Sequence, residues 1–520
     1  MATVRFLSTR LGRSSTNCWF WSSRRLIALV LLALVVAPGT LADFEYPQRA
    51  VLTSSDGLAG DYFSIAVAVD GDTIVIGATK HGGLGVDAGA AYVYTRDFPG
   101  NLSSSWTERA ILTGSATAAG ERLGYSVAID GDTLVIGAKG MNADTGAAYV
   151  FTRDSPGDLA SNWTERAILE ASDGSAGDQL GWSVAVDGDT IAVGAIFDDS
   201  GKGSANVFRR DNAGDLSSTW SQVGAKLKPS DASSYPGDLN FGVSVALDGD
   251  TLVVGSHVKA FQIGGAYVFS RNNAGDLSSD WTERAILSAS DGEAGDRFGN
   301  RVAIDGDTIV IGAEKDHNPD SDSGSAYVFT RNDPGSLTSA WTESSKLKPD
   351  DSAAGDIFGS GVSIEGDVVV IGAHGDDHSK GSDSGSAYVF WRNSTDPSGW
   401  TQVAKLIAND GAQNANLGYV VAISGDTLVA GSLALNGGSA CVFTKFVYCD
   451  ASAAPANGAV GDCTSRLAAG TTCQPTCDEG YLVSGPSACD AEGNKTSAMC
   501  RELTCCERTL VKHGFGVAYS

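Results

Sequence analysis

One stretch recurs along this chain and constrains everything else. It is Gly124-Tyr-Ser-Val-Ala-Ile-Asp-Gly-Asp-Thr-Leu-Val-Ile-Gly-Ala138, with variants at residues 64–78, 181–195, 242–256, 299–313, 359–373 and 418–432. It reads as an apolar strand, a short reversal and a second apolar strand. Asp130-Gly131-Asp132 is turn chemistry, because glycine takes positive φ without penalty and aspartate tolerates it; type I′ and type II′ both satisfy it. After Gly137-Ala138 come a variable polar loop, a third strand at Ala148–Phe151, a turn around Pro156-Gly157 and a fourth strand at Trp163–Leu169. Four antiparallel strands every 57–61 residues is the period of a propeller blade.

The count decides how the array ends. Seven hairpins and seven third strands are accompanied by six tryptophan-led fourth strands, at Trp106, Trp163, Trp220, Trp281, Trp341 and Trp400. Arg49-Ala50-Val51-Leu52 matches Arg109-Ala110-Ile111-Leu112 and supplies the missing one. An N-terminal strand that completes the last blade closes the ring and leaves no open sheet edge. The expected fold is therefore all-β: a seven-bladed propeller of four-stranded antiparallel blades over residues 43–446, closed by the N-terminal strand. A small disulfide-rich module is expected at 447–501, and residues 502–520 have no readable pattern.

Each hairpin begins with Phe/Leu-Gly (Leu123-Gly124, Phe241-Gly242, Phe298-Gly299, Phe358-Gly359) and ends with Gly-Ala (Gly137-Ala138, Gly312-Ala313, Gly372-Ala373). In this the chain resembles FG-GAP repeat proteins, whose seven-bladed propeller is found in integrin α-subunits and many secreted proteins. The first unit departs from the pattern at Phe63-Ser64, and two units end in Gly255-Ser256 and Gly431-Ser432. The resemblance implies a ligand surface on the face where strands two and three, and successive blades, are joined. Calcium-binding members of the family carry an Asp-x-Asp-x-Asp-Gly loop between the first two strands. Here that loop has shrunk to Asp-Gly-Asp, too short to offer the six to eight oxygens Ca²⁺ takes.

Residues 1–42 read as a secretory signal, with Arg24-Arg25 before the apolar run Leu26–Ala37 and small residues at Thr40-Leu41-Ala42. An organellar presequence or an uncleaved anchor is the alternative. Formal charge is 36 − 62 = −26, and becomes 31 − 62 = −31 without the five arginines of that segment. So acidic a chain argues against nucleic acid and anionic membranes as partners. No later apolar run is long enough to span a membrane. Eight of the ten cysteines lie in residues 449–506, as in an oxidising compartment. Asn101, Asn162, Asn393 and Asn494 are Asn-x-Ser/Thr glycosylation acceptors. Residues 449–500 resemble a sushi module, and that resemblance implies the pairs Cys449–Cys489 and Cys477–Cys500, with Cys463–Cys473 as an extra bridge. Cys441, in place of a third-strand tyrosine, reads as a buried thiol.

Candidate functional residues concentrate in the variable loops after each Gly-Ala. They hold five of the six histidines, including His374 and His378, and the acids Asp198, Asp199, Asp316, Asp320, Asp322, Asp376, Asp377 and Asp383. Asp316–Asp322 fails the EF-hand pattern, since its sixth position is Ser321 and its twelfth Tyr327. No cofactor is called for, and Ca²⁺ is the cation that Asp316, Asp320, Asp322, Asp376, Asp377 and Asp383 would suit. The repeated tryptophans read as packing between blades rather than as a sugar platform, and Trp182 stands outside their pattern. The motifs Gly-x-Ser-x-Gly, His-Glu-x-x-His and Gly-Lys-Ser/Thr do not occur. The sequence therefore points to a secreted or surface, non-enzymatic adhesion protein that recognises an extracellular protein or glycan through an acidic loop face. A hydrolase or lyase using loop carboxylates, and a purely structural matrix component, are the competing readings.

Overall fold

The computed structural model describes residues 43–317, 320–392, 399–433, 437–449 and, from 451 to 502, all but 452, 464–466, 469–470, 480 and 490–494. Seven four-stranded antiparallel sheets follow one another as blades 1 to 7 of a propeller. Blades 1 to 6 span residues 63–112, 123–169, 180–222, 245–287, 298–347 and 358–406. Blade 7 takes three strands from residues 420–444 and its fourth from Gln48–Leu52, which pairs with Ser439–Thr444 (Leu52 opposite Ala440, Ala50 opposite Val442). The ring is thus closed by joining the first and last strands of the repeat array. Within each hairpin Asp130 faces Thr133 across Gly131-Asp132. Gly131 has φ +54° and Asp132 is not in the positive-φ region, which selects a II′ rather than a I′ turn.

The second strands, such as Thr133–Ala138, are buried at every residue. A strand covered on both faces reads as a near-continuous apolar run, and here the covers are the neighbouring blades. Val75 and Val93 of blade 1 pack into one cluster with Leu134, Ile136 and Tyr149 of blade 2, so the core lies between blades.

Three repeated contacts lock that interface. In the first, the guanidinium that ends each third strand reaches two blades: Arg153 donates to Asp132 of its own hairpin at 2.7 Å and to Thr73 of the preceding blade at 3.1 Å. The tryptophan of the fourth strand covers it, Arg153 sitting 4.5 Å from the Trp163 ring centroid. Equivalent staples occur at Arg96, Arg210, Arg271, Arg331 and Arg392. Arg96 stretches to Thr427 at 2.7 Å, fastening blade 1 to blade 7. Blade 7 has Lys445 at the arginine position, and blade 6 has Val368 where its neighbour would need the threonine, so both members of the Arg–Thr pair are replaced together. In the second contact, the Gly131 N–H donates to Asp70 of the preceding turn at 2.7 Å, and the same link recurs around the ring to Gly71 and Ser424. The two acids of Asp-Gly-Asp, expected only as turn formers, are therefore an inter-blade acceptor and an arginine ligand. In the third, Gly312 of blade 5 lies against Gly359 of blade 6, so close that a Cβ on Gly312 would stand 2.2 Å from the Gly359 carbonyl oxygen.

Beyond the ring, Asp43–Glu45 pairs with Phe446–Cys449, which in turn pairs with Leu467–Ala468. The remaining C-terminal strands are two or three residues long. Bridges Cys463–Cys473 and Cys477–Cys500 hold this region, as is usual where too few residues exist for a core. The side chains of Cys449 and Cys489, and Asn393, Asn494 and residues 503–520, lie outside the described residues. Cys441 is an unbonded thiol with 1% exposure.

Candidate functional site

The two faces of the ring differ in construction. On one, the Asp-Gly-Asp turns meet the connections between strands three and four, as where Gly100 N–H donates to Asp72 at 2.8 Å. On the other, each loop between strands two and three bridges to the start of the next blade, Gly89 with Leu123 and Gly146 with Leu180, for example. This second, loop face carries the expected ligand-binding residues.

Most of its carboxylates are engaged by the protein itself. The Lys346 ammonium lies 2.7 Å from Asp291 and 2.6 Å from Asp316, and the Tyr327 hydroxyl donates to both. Lys405 holds Asp351 and Asp376 in the same way, at 2.6 and 2.9 Å. Lys226 binds Asp198 at 2.6 Å and Lys228 binds Asp199. Lys315 binds Asp322 at 3.0 Å, and Asp377 accepts the Asp383 N–H. Asp320 is exposed. A lysine ammonium occupies the place a cation would take at Asp198, Asp316 and Asp376. Among the described residues, the one group of three metal-type ligands within mutual reach is Asp462 with Cys463 and Cys473, whose sulfurs are bonded to each other. The carboxylates of this face do not come together in a group of three among the described residues.

What the fold does assemble is a pocket of about 540 Å³ on the ring axis, lined by residues from all seven blades. First strands are innermost, so the residues after each hairpin's opening glycine converge there: Tyr125, Trp182, Val243, Asn300, Ser360 and Tyr419. Tyr125 and Trp182 pack with centroids 4.8 Å apart. The Lys139 ammonium caps both, 3.5 Å from the Tyr125 centroid and 3.8 Å from that of Trp182. His374 enters from its loop edge-on to Tyr419, and His257 joins it in the lining. The other candidate imidazole, His378, turns away and contacts the Gly385 carbonyl at 3.0 Å.

Charge here runs against the rest of the chain. Arg297, Arg301 and Lys315 line the pocket with a single acid, Glu314. Glu314 is held by Arg297 at 3.2 Å and Asn300 at 2.8 Å. Burial, with Arg297 and Arg301 adding repulsion, pushes His257 down to about 4. Burial also lowers His374. Both rings are thus neutral at pH 7. Their Nδ1 atoms are enclosed and lack a hydrogen-bond partner among the described residues.

The FG-GAP repeat matches the chain over residues 46–94, 106–151, 163–208, 220–269, 281–329, 341–390 and 400–443. The chain belongs to the FG-GAP repeat family. No individual curated protein matches it. In this FG-GAP propeller the family motif is itself the inter-blade contact: the glycine of Gly-Ala in one blade meets the glycine of Phe-Gly in the next. At the closure Ser64 replaces that second glycine and exchanges hydrogen bonds with Ser432, at 2.9 and 3.1 Å. The acceptors Asn101 and Asn162 are exposed on the connections opposite the loop face.

Tyr125 and Arg301 were not singled out from the sequence; His257 counted only as one of five loop histidines, and Trp182 only as standing outside the tryptophan pattern. The available signal was variation at one fixed repeat position, where Tyr125, Trp182, Asn300 and Tyr419 stand in place of the Ile65, Val243 and Ser360 of other units. Lys139 gives a measurable consequence. It is 7% exposed, and burial, then Arg122, pushes its amine down to about 7, with Asp144 opposing. A base whose folded pKa is depressed below its unfolded value of about 10.4 destabilises the fold most below pH 7, and the penalty fades as pH rises towards 10. Lys139→Met is expected to raise stability by about 1–2 kcal/mol at pH 6 and by less at pH 9. Denaturant titrations at the two pH values test this; an equal gain at both would contradict it.

Proposed function

We propose that this FG-GAP propeller is a non-enzymatic recognition protein, secreted or held at the cell surface, that binds an extracellular protein or glycan through the mouth of its loop face. The observation that carries the reading is the seven-blade axial pocket, which gathers Tyr125, Trp182, Tyr419, His257, His374 and Arg301 around one cavity. Concave, largely apolar sites with a few convergent polar groups are the usual form of ligand pockets. The loop face also exposes large apolar side chains, Phe261 at 92%, Val86 at 80% and Leu58 at 70%.

The loop carboxylates suit this reading better than hydrolysis, since lysines neutralise those best placed to act. The likeness to integrin α-subunits lends adhesion weight, and a sushi-like C-terminal module stapled by Cys463–Cys473 and Cys477–Cys500 would be a second recognition unit. Among the described residues no helix is long and apolar enough to cross a membrane. The test is an array of glycans and secreted proteins, probed with and without Ca²⁺. Trp182→Ala and Phe261→Ala should each abolish or weaken capture at least about tenfold, as losing an aromatic anchor that a ligand covers does. Phe98→Ala, which removes an exposed ring from the opposite face, should leave it unchanged. Loss on the Phe98 variant with retention on the other two would refute the reading.

A further inference from the structure

Of the arginines and lysines that line the pocket, Arg301 is the one with no carboxylate partner among the described residues. Of the pocket's charged groups, Arg297 is tied to Glu314 and Lys315 to Asp322. Arg301 lines the pocket half-buried, and its single hydrogen bond among the described residues goes to the Asn300 carbonyl at 3.1 Å. No carboxylate of the described residues lies within ion-pair distance of it, in a chain whose formal charge is −26. A guanidinium has a rigid fork of donors matched to a planar carboxylate. Leaving it unpaired and partly desolvated is costly unless a ligand supplies the anion.

The neighbouring groups say what carries that anion. Tyr125 and Trp182 offer paired aromatic surface, which suits the apolar face of a sugar ring. His257 and His374 add imidazole rings to the pocket lining, a side-chain type that hydrogen-bonds hydroxyls. The volume of about 540 Å³ admits one or two sugar units rather than a crossing polypeptide. Around the mouth, Asp320 and Asp377 are exposed acids that repel a polyanion while a single carboxylate reaches Arg301.

We infer that the axial pocket is a subsite for a terminal sugar acid, a hexuronate whose carboxylate pairs with Arg301 while its ring lies among Tyr125, Trp182, His257 and His374. This rests on the loop-face reading and narrows it to one ligand chemistry.

The experiment is calorimetric titration of the full chain with D-glucuronate, D-glucose, a carboxylate-terminated tripeptide and heparin. Glucuronate should bind at least about tenfold more tightly than glucose, the tripeptide or heparin. Arg301→Gln should cost at least about tenfold in glucuronate affinity, on the scale of a lost charge-assisted pair. Arg301→Lys should fall between, and an unchanged melting temperature confirms that both variants fold. Equal binding of glucose, tighter binding of tripeptide or heparin, no glucuronate binding, or indifference to Arg301→Gln each overturns the inference. Should any of these occur while Trp182→Ala still abolishes capture on the array, loop-face recognition stands without it. Should Trp182→Ala spare array capture, that reading fails, and the glucuronate titration decides the subsite separately.

Discussion

Arg153→Ala is expected to cost about 3–5 kcal/mol of stability, the range for removing one partner of a buried ion pair. The Arg153 side chain is 2% exposed and that of its partner Asp132 20%, so the carboxylate left behind is only partly rehydrated. The change also removes the donor to Thr73, which is 3% exposed, and uncovers the face of Trp163. Because the staple reaches the preceding blade, the loss falls on the interface and not on one sheet. Lysine should not rescue it, since a point charge cannot reach aspartate and threonine together as the guanidinium fork does. Arg166→Ala is the control. Its pair with Asp154, at 3.3 Å with side chains 26% and 40% exposed, is a surface contact expected to contribute less than about 1 kcal/mol. Denaturant midpoints of the two variants make the comparison, and equal midpoints would remove the staple from the account.

Gly312→Ala should be comparably severe for a steric reason. The new Cβ would stand 2.2 Å from the Gly359 carbonyl oxygen and 3.1 Å from its carbon. The obstacle is backbone held in a sheet, so blades 5 and 6 must separate to accept a methyl group. Overpacking that cannot be relieved by side-chain motion belongs at or beyond the upper end of its usual range, about 3 kcal/mol. Gly306→Ala provides the contrast. Gly306 has φ +54° but nothing within 4 Å of its would-be Cβ, so only the left-handed conformation is penalised, by about 1–2 kcal/mol. Thermal melts in which Gly312→Ala tolerates heat as well as Gly306→Ala would show that the close approach is not what the family glycine provides.

The fold was legible because a hairpin repeated seven times states its own period, and because Arg49–Leu52 matches the fourth strands that later tryptophans mark. The acids of Asp-Gly-Asp were legible only as turn formers. Asp132 binds Arg153 from 21 residues away and Asp70 accepts from Gly131 across 61, contacts that no local propensity announces. The same distance in sequence hid the site. Asp316 and Asp376 drew attention as acids in variable loops, yet each is tied to a lysine that lies on a fourth strand.

Local patterning thus established the blades, their number, their order and the closure of the ring, since alternation, turn chemistry and repeat length are all properties of neighbouring residues. It also placed the variable loops on one face. Which residues of that face meet was settled by closure itself. Tyr125, Trp182, Arg301 and His374 belong to blades 2, 3, 5 and 6 and have no sequence relation beyond a shared axis. Only when seven innermost strands turn around that axis do they line one pocket, and only then does Arg301 emerge as a cation without an anion among the described residues.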